Sequence, residues 1–278
     1  MAQCVEPSWN GTGAFGTTVD VKDAVQGGML KNCSLMAGIA SLSWKQKIGI
    51  QPGPTYTFNF YRIVNNVTIT DPQQTNGILP NPLQAKSDDP TEFWPSLYEK
   101  AYYQWLEQLG LTKPLERPKY CLHTAWQDPS TVLFQLTGKT VITKSCTDWN
   151  SVFNDINSFC TNCGRSATNR IINSPAVAWT YDPAVYNPNS AVYSDATIAA
   201  RHTYSLLGVV NLGTTLEQRF IVLRNPYGKS KGDPNMPGYL YTSAPWCNNI
   251  ILGEIDGIFA LRIDQFVKYF EKYAWTTI

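Results

Sequence analysis

The segment that begins at Cys33 constrains the fold of this chain more than any other. Its residues up to about Lys45 are mostly apolar and fit a single helix. The inner positions of that helix are small: Ala37, Gly38, Ala40 and Ser41. Small residues let a helix pack closely against its neighbours, which is typical of a central, buried helix. The sequence therefore predicts a buried helix from Cys33 to about Lys45.

The first half of the chain has a second strong helical pattern. Apolar and aromatic residues at helical spacing predict a long helix from about Glu92 to Leu109. Asp88 and Asp89 are capping candidates at its start, and Gly110 ends it. Residues 1–24 are rich in glycine and are expected to be irregular.

Short runs of β-forming residues predict strands, most of them in the second half. They are Thr55–Phe60, Asn66–Thr70, Val132–Leu136, Ala176–Tyr181, His202–Val210, Arg219–Leu223 and Gly257–Arg262. A final amphipathic helix is predicted over Asp264–Lys272. We therefore expect an α+β fold with two lobes, a helical lobe over residues 1–138 and a β-rich lobe over residues 139–278.

The composition is that of a globular chain with little charge. Hydrophobic residues make up 43% of the 278 residues, charged residues make up 15%, and the net charge is +1. Such a chain buries a sizeable core, so intrinsic disorder is excluded. The balanced charge offers no basic surface for nucleic acid or an anionic membrane. No apolar stretch approaches the roughly 20 residues of a membrane span, and the N-terminus lacks the pattern of a signal peptide.

The chain has seven cysteines, an odd number, so at least one of them lies outside any internal set of disulfides. Cys160 and Cys163 have the spacing of a zinc-binding or redox pair. A structural zinc site needs further ligands, and the only histidines, His123 and His202, are far from this pair in sequence. We therefore expect a disulfide or surface thiols here and predict no metal site.

Cys33 combines a thiol with the first turn of a helix. The positive end of the helix dipole and the N–H groups of the first turn stabilise a thiolate. The backbone N–H of Cys33 and a nearby amide such as that of Gln26 can also form an oxyanion hole. An isolated buried cysteine is usually structural, so the rest of the sequence decides between the two interpretations.

Only His123 and His202 can act as a general base near neutral pH. His202 begins an apolar strand, and Asn225 follows the next strand. A hairpin centred on Gly213–Thr214 would place His202 and Asn225 opposite each other on one face. The amide oxygen would fix the imidazole tautomer and leave the other ring nitrogen for the thiol. His123 has no comparable partner, and we interpret it as structural or exposed.

Several segments, taken in order, resemble the protease core of the calpain family. Residues 26–42 are similar to the family's Gln-Gly-x-Leu-Gly-Asp-Cys-Trp and its following helix, and residues 93–102 to Phe-Trp-x-x-Leu-Leu-Glu-Lys-Ala-Tyr. Thr137-Gly138 resembles part of Phe-Thr-Gly-Gly, His202-Thr-Tyr-Ser resembles His-Ala-Tyr-Ser, and residues 223–228 resemble Leu-Arg-Asn-Pro-Trp-Gly. Residues 256–259 and 266–270 resemble the closing segments of the core, so the resemblance runs from Gln26 to Phe270.

This resemblance implies a papain-like, two-lobed cysteine endopeptidase that acts on a peptide or protein substrate in the cytoplasm. Cys33 would attack the scissile carbonyl, His202 would take and return the proton, and Asn225 would orient the imidazole. Gln26 and the N–H of Cys33 would form the oxyanion hole. Tyr227 stands where the family has the Trp that shields the His–Asn pair.

The sequence departs from the calpain pattern in places that bear on calcium and on the oxyanion hole. Gln26 lies seven residues before Cys33 instead of six, and Ser34 replaces the Trp after the nucleophile. Lys231 and Ile258 stand where the family has calcium-binding glutamates. Calcium takes six to eight oxygen ligands, so this site should be empty, and we expect no cofactor and no calcium requirement. Asp20 and Asp23 lie just upstream of Gln26, so the occupancy of a first-lobe calcium site stays open.

Two other classes of function compete with a protease. A papain-like acyl transferase, such as a transglutaminase or a peptide ligase, uses the same thioester with an amine as acceptor. Transglutaminases usually orient the histidine with Asp, so Asn225 argues against that branch. An inactive pseudoenzyme that only binds peptides is the third class, and the complete set of Cys33, His202 and Asn225 argues against it. No nucleic-acid or membrane partner is expected, and the sequence leaves the oligomeric state open.

Overall fold

The computed structural model places the chain in two compact units, Met1–Thr140 and Val141–Ile278. Both units contain helices and strands, which confirms a mixed α and β fold. The division lies two residues after the one that the sequence predicted. The structure describes residues 8–12, 19–27, 31–45, 48, 50–51, 55–81, 85–87, 89–110, 127–163, 167–195, 197–228, 236–242, 244–253 and 256–277.

The first unit has three described helices: α1 (Cys33–Trp44), α2 (Trp94–Gln108) and α3 (Pro129–Thr137). Every residue of α1 from Cys33 to Ser43 is buried, as the small inner residues predicted. Gly38 allows the closest approach, because a Cβ at this position would lie 2.7 Å from the Leu136 side chain of α3. The central buried helix is therefore confirmed.

The prediction of a strand at Val132–Leu136 is wrong, since these residues lie in α3. The Asp128 carboxylate accepts a hydrogen bond from the Thr131 N–H (2.8 Å), and Pro129 occupies the first turn. Gly138 ends the helix with a left-handed φ of 65°. A capped start, an early proline and a terminal glycine outweigh the β propensity of the apolar run.

The helix α2 was predicted correctly, but its cap was not. It begins at Trp94, and the residue before it, Phe93, makes no side-chain capping bond. Asp89 instead accepts from the Thr91 N–H (2.8 Å) in a turn ahead of the helix. Asp88 lies outside the described residues.

The strands of the first unit form two small sheets. β1 (Ser8–Thr12) pairs with β5 (Ile78–Asn81), and β2 (Ile50–Gln51), β3 (Tyr56–Val64) and β4 (Val67–Thr75) form the other. Strands were predicted at the positions of β3 and β4, but both are longer, because the turn between them takes only Asn65 and Asn66 in left-handed conformations. Asparagine tolerates this conformation. The strand β1 lies in a segment that we expected to be irregular.

The second unit is built on one sheet of nine strands. Its main path runs in the order β12-β13-β11-β10-β9-β14-β6, with β8 beside β10 and β7 beside β8. The strands are β6 (Val141–Ser145), β7 (Cys160–Asn162), β8 (Asn169–Ile172), β9 (Ala176–Thr180), β10 (Thr203–Asn211), β11 (Arg219–Arg224), β12 (Tyr239–Leu240), β13 (Ile258–Arg262) and β14 (Phe270–Thr276). The strands predicted at β9, β10, β11 and β13 are confirmed.

Several elements of this unit differ from the sequence prediction. The strands β6, β7, β8, β12 and β14 were not predicted. The helix α4 (Trp149–Ser158) was not predicted, although Asp148 caps it by accepting from the Ser151 N–H (2.8 Å). The helix α5 (Ile263–Tyr269) ends three residues before the predicted Lys272. The chain then continues as β14, which pairs with β9 on one side and β6 on the other. Strand partners on both sides outweigh the helical pattern here.

The cysteines of the described residues have separate environments. Cys163 forms a disulfide with Cys247, while Cys160 is buried, forms no disulfide and has its thiol 3.2 Å from the Ile156 carbonyl oxygen. Cys160 and Cys163 therefore do not act as one pair. Within the residues that the structure describes, no three His, Cys, Asp or Glu side chains are grouped as metal ligands would be. In the same part of the chain, no helix is both long and apolar enough to cross a membrane.

Candidate active site

Cys33 is the first residue of α1, forms no disulfide and is 6% exposed. The helix begins here because the Met36 N–H donates to the Asn32 carbonyl oxygen (3.1 Å), which closes the first turn. The side chain of Asn32 makes no capping bond to this turn. The nucleophile candidate thus lies at the positive end of a helix whose capping residue directs its side chain elsewhere.

The Asn32 side chain is bound by a residue of α2. Its Nδ2 donates to Oε1 of Glu99, and both residues are fully buried. The other oxygen of Glu99, Oε2, accepts from the N–H of Ala85 (3.0 Å). These contacts of Glu99 were not predicted, although Glu99 stands in the segment that resembles the family's Leu-Glu-Lys-Ala-Tyr.

Gln26, the other predicted oxyanion donor, is buried in the same unit with 7% exposure. The residue before it, Val25, forms a two-bond bridge with Lys86, in which each N–H donates to the other's carbonyl oxygen at 2.9 Å. This bridge fixes the backbone that leads into Gln26. Residues 28–30, between Gln26 and Cys33, lie outside the described residues, and so the extra residue of this loop has no structural description.

Asp23 ties the same segment to the start of α2. Its Oδ2 accepts from Trp94 Nε1 (2.9 Å) and from the Asp20 N–H (2.7 Å). Burial raises the pKa of Asp23 to about 6, although both hydrogen bonds oppose the rise, and the nearby Glu92 adds to it. The carboxyl therefore changes charge close to neutral pH, a few residues before Gln26.

His202 is held through its main chain at the start of β10. Its N–H donates to Oγ1 of Thr180 (3.0 Å), and its carbonyl oxygen accepts from the Thr180 N–H (3.0 Å). Thr180 Oγ1 also lies 2.8 Å from the Ala199 carbonyl oxygen, to which it donates. The end of β9 thus fixes both backbone groups of the predicted base. No signal in the sequence indicated this role for Thr180.

The imidazole of His202 is bound to Asn225, as the sequence predicted. The distance from His202 Nε2 to Asn225 Oδ1 is 2.9 Å, and both side chains are buried. The same oxygen accepts from the Tyr227 N–H (3.0 Å), so Oδ1 is an acceptor and Nε2 carries the proton. Nδ1 is then the basic nitrogen of the ring, available to take a proton from a thiol.

Two aromatic rings enclose the imidazole. Tyr227 stacks on it with ring centroids 4.3 Å apart, and Tyr204 meets it edge-on at 5.0 Å. These contacts leave His202 3% exposed, so its bond to Asn225 is shielded from water. A hydrogen bond removed from water is stronger than an exposed one. Tyr227 was predicted to shield this pair, whereas the contribution of Tyr204 was not.

The strands that carry His202 and Asn225 pair in a different register from the predicted one. The last described pair toward the site places Ser205 opposite Arg224. His202 is therefore not directly opposite Asn225, and that prediction is wrong. The physical reason is the turn, which is longer than a tight hairpin and includes a short 3₁₀ helix at Leu216–Gln218.

A β-bulge brings His202 and Asn225 back to one face of the sheet. The register shifts between Leu206 and Gly208, where β10 has one extra residue. Beyond the bulge, His202 lies two positions from the residue opposite Asn225, which is the spacing of side chains on one face. Gly208 permits the close packing at the bulge, since a Cβ there would lie 2.1 Å from the Arg170 carbonyl oxygen.

Other predicted positions either lie outside the described residues or have a different role. His123 and Lys231 are not described. Asp256 Oδ1 accepts from the Ile258 N–H (3.0 Å), and Ile258 itself is fully buried in β13. Among the other thiols, burial raises the pKa of Cys146 well above its ordinary value, which disfavours its thiolate.

No protein-family model matches the chain, and a search of the curated proteins gives no match either.

Proposed function

We propose that the protein is a cysteine endopeptidase that resembles the calpain core. The observation that carries the proposal is the buried bond from His202 Nε2 to Asn225 Oδ1, which is fixed by the Tyr227 N–H on the same oxygen. This arrangement leaves Nδ1 as the base. Cys33, which forms no disulfide and lies at the start of a buried helix, supplies the proposed nucleophile.

The proposed reaction has two stages. His202 Nδ1 takes the proton of the Cys33 thiol, the sulfur attacks the scissile carbonyl, and the imidazolium returns the proton to the leaving amine. The oxyanion accepts hydrogen bonds from the Cys33 N–H and the Gln26 amide. Water then attacks the thioester with His202 as base, which releases the carboxylic acid and restores the thiol. Asn225 holds the ring in the required tautomer.

A cleavage assay with an amine acceptor tests this function. We expect the wild-type protein to cleave unstructured peptides and to lose this activity in Cys33→Ala. Cys160→Ala is the matched control, because Cys160 is also a buried cysteine that forms no disulfide. Products that carry the added amine in place of a free carboxylate would indicate an acyl transferase. A wild-type protein that binds peptides without cleaving any would be the pseudoenzyme, and would contradict the proposal.

We propose that activity does not require calcium. The second-unit segment does not fit a calcium site, since Ile258 contributes a buried alkyl side chain and Asp256 Oδ1 is engaged by a backbone N–H. In the sequence, Lys231 stands where the calpain family has a glutamate, so it offers no carboxylate ligand. Peptide cleavage in chelator should equal that in millimolar calcium. A rise of about tenfold or more on adding calcium would contradict this proposal.

The substrate proposed is a peptide or protein, without a nucleic-acid or membrane partner. The resemblance to calpains favours the cytoplasm, whereas the Cys163–Cys247 disulfide is typical of an oxidising compartment. Alkylation of the protein taken from its own cells, without reductant, separates the two. Labelled Cys163 and Cys247 support the cytoplasm, and unlabelled ones contradict it.

A further inference from the structure

Glu99 is a buried carboxylate in the part of the first unit that carries Cys33 and Gln26, which we call the nucleophile region. It lies in α2, is fully buried, and uses one oxygen for Asn32 and the other for the N–H of Ala85. A buried charge is costly unless hydrogen bonds satisfy it. The bond to Asn32 connects Glu99 with Cys33, and the bond to Ala85 connects it with Gln26. Both Cys33 and Gln26 are residues of the proposed oxyanion hole.

The first path runs from Glu99 to Cys33 through one residue. Asn32 precedes Cys33 directly, and its side chain binds Glu99 and makes no cap on α1. A capping asparagine normally turns its side-chain oxygen to the first-turn N–H groups. The bond to Glu99 keeps the Asn32 side chain away from them, so the positive end of α1 is not compensated by this side chain.

The second path runs from Glu99 to Gln26 through the backbone. Glu99 holds the N–H of Ala85, while the Ser96 hydroxyl of the same helix donates to the Ala85 carbonyl oxygen. The next residue, Lys86, forms the two-bond bridge to Val25. Val25 directly precedes Gln26. The helix α2 therefore supports the backbone at Gln26 as well as the residue before Cys33.

We infer that Glu99 is a positioning residue that sets the spacing between the Cys33 N–H and the Gln26 amide. This inference rests on the proposed function. Oxyanion donors act on charge that develops in the transition state, so an error in their spacing lowers kcat and has little effect on substrate binding. A purely structural Glu99 would lower stability and leave the kcat of folded protein unchanged.

The test is a pair of nearly isosteric variants with a structural control. Glu99→Gln leaves one acceptor oxygen for two donors, so one of the two paths loses its bond. Adding Asn32→Asp reverses the direction of the hydrogen bond between positions 32 and 99. In the double variant, the amide nitrogen at position 99 donates to the carboxylate at position 32, and the amide oxygen at position 99 still accepts from the Ala85 N–H. Lys100→Met in the same helix is the control, because the contacts that the structure describes for the Lys100 ammonium are with the Asn76–Ile78 turn and the Trp9 ring, and neither contact involves Asn32 or Ala85.

Steady-state kinetics are measured on each variant, with the folded fraction counted by titration of Cys33. Glu99→Gln should lower kcat by about tenfold or more with KM changed less than about twofold. The double variant should recover most of this loss, and Lys100→Met should lower the melting temperature without changing kcat. If Glu99→Gln, like Lys100→Met, lowers the melting temperature without lowering kcat, this inference is overturned and the proposed function is not. A wild-type protein without cleavage would instead overturn the proposed function and the inference with it.

Discussion

Cys33 and His202 lie in different units, and the bonds that position them differ in kind. His202 is held through both of its own main-chain groups at the end of a sheet strand, by the Thr180 N–H and by the Thr180 hydroxyl Oγ1. The nucleophile region is held by side chains of α2, with Glu99 bound to Asn32 and Trp94 bound to Asp23. The backbone bond from the Thr180 N–H to the His202 carbonyl oxygen survives most substitutions of the Thr180 side chain, whereas each of the two bonds of the nucleophile region is removed by one substitution. The second unit should therefore be the more robust half of the proposed site.

The largest effect in the second unit should come from the base itself. His202→Ala removes the proton acceptor and should lower kcat/KM by about 10³-fold or more. Asn225→Ala keeps the imidazole and loses only its orientation, so we expect a smaller loss of about 10- to 100-fold. Peptide cleavage by the two purified variants measures both. An Asn225→Ala variant more damaged than His202→Ala would contradict these roles.

Substitution of Thr180 tests whether the main-chain support of His202 matters. Thr180→Val keeps the shape and removes Oγ1, which leaves the His202 N–H and the Ala199 carbonyl oxygen without this partner. We expect a loss of about 1–3 kcal/mol in the free energy of unfolding and a fall in kcat of about tenfold. Thr180→Ser retains the hydroxyl and is the matched control. Equal kcat in both variants would show that the strand alone holds His202.

The smallest effect should appear as a pH dependence of the first unit. The pKa of Asp23 is raised from 3.8 to about 6, so the folded protein binds this proton more tightly than the unfolded chain does. The stabilising contribution is complete below about pH 4 and is lost as the pH rises to about 6. Asp23→Asn keeps an oxygen for Trp94 and Asp20 and should raise Tm at pH 7 by about 2–4 °C.

The readout for Asp23 is the difference in Tm between variant and wild type across the pH range. That difference should grow between about pH 4 and pH 6 and then stay level. A constant difference at all pH values would show that the carboxyl does not titrate in this range. A difference confined to pH values below 4 would reverse the sign of the argument.

Sequence patterns predicted the features that depend on local signals. The helix at Cys33, the helix of Trp94–Gln108 and the pairing of His202 with Asn225 follow from periodicity and from residue order. The register of the hairpin could not be predicted from these signals, because it depends on the length of a turn and on a bulge at Gly208. A bulge leaves little trace in a sequence beyond the glycine itself.

The supporting residues were missed for a different reason. Glu99 and Thr180 act through partners that are 67 and 22 residues away in the chain, Asn32 and His202 respectively. A single sequence does not show which distant residues meet. The prediction of a strand at Val132–Leu136 is wrong because the helix-capping signals of Asp128, Pro129 and Gly138 outweigh the β propensity of the apolar run between them.

The central claim is that Cys33 and His202 act as one nucleophile–base pair. Alkylation of Cys33 by iodoacetamide at neutral pH, followed by mass spectrometry, tests it without requiring a known substrate. We expect Cys33 to react rapidly in the wild-type protein and about tenfold or more slowly in His202→Ala, because the imidazole no longer stabilises the thiolate. The rate at Cys160 should be the same in both proteins. Equal rates at Cys33 with and without His202 would contradict the pairing.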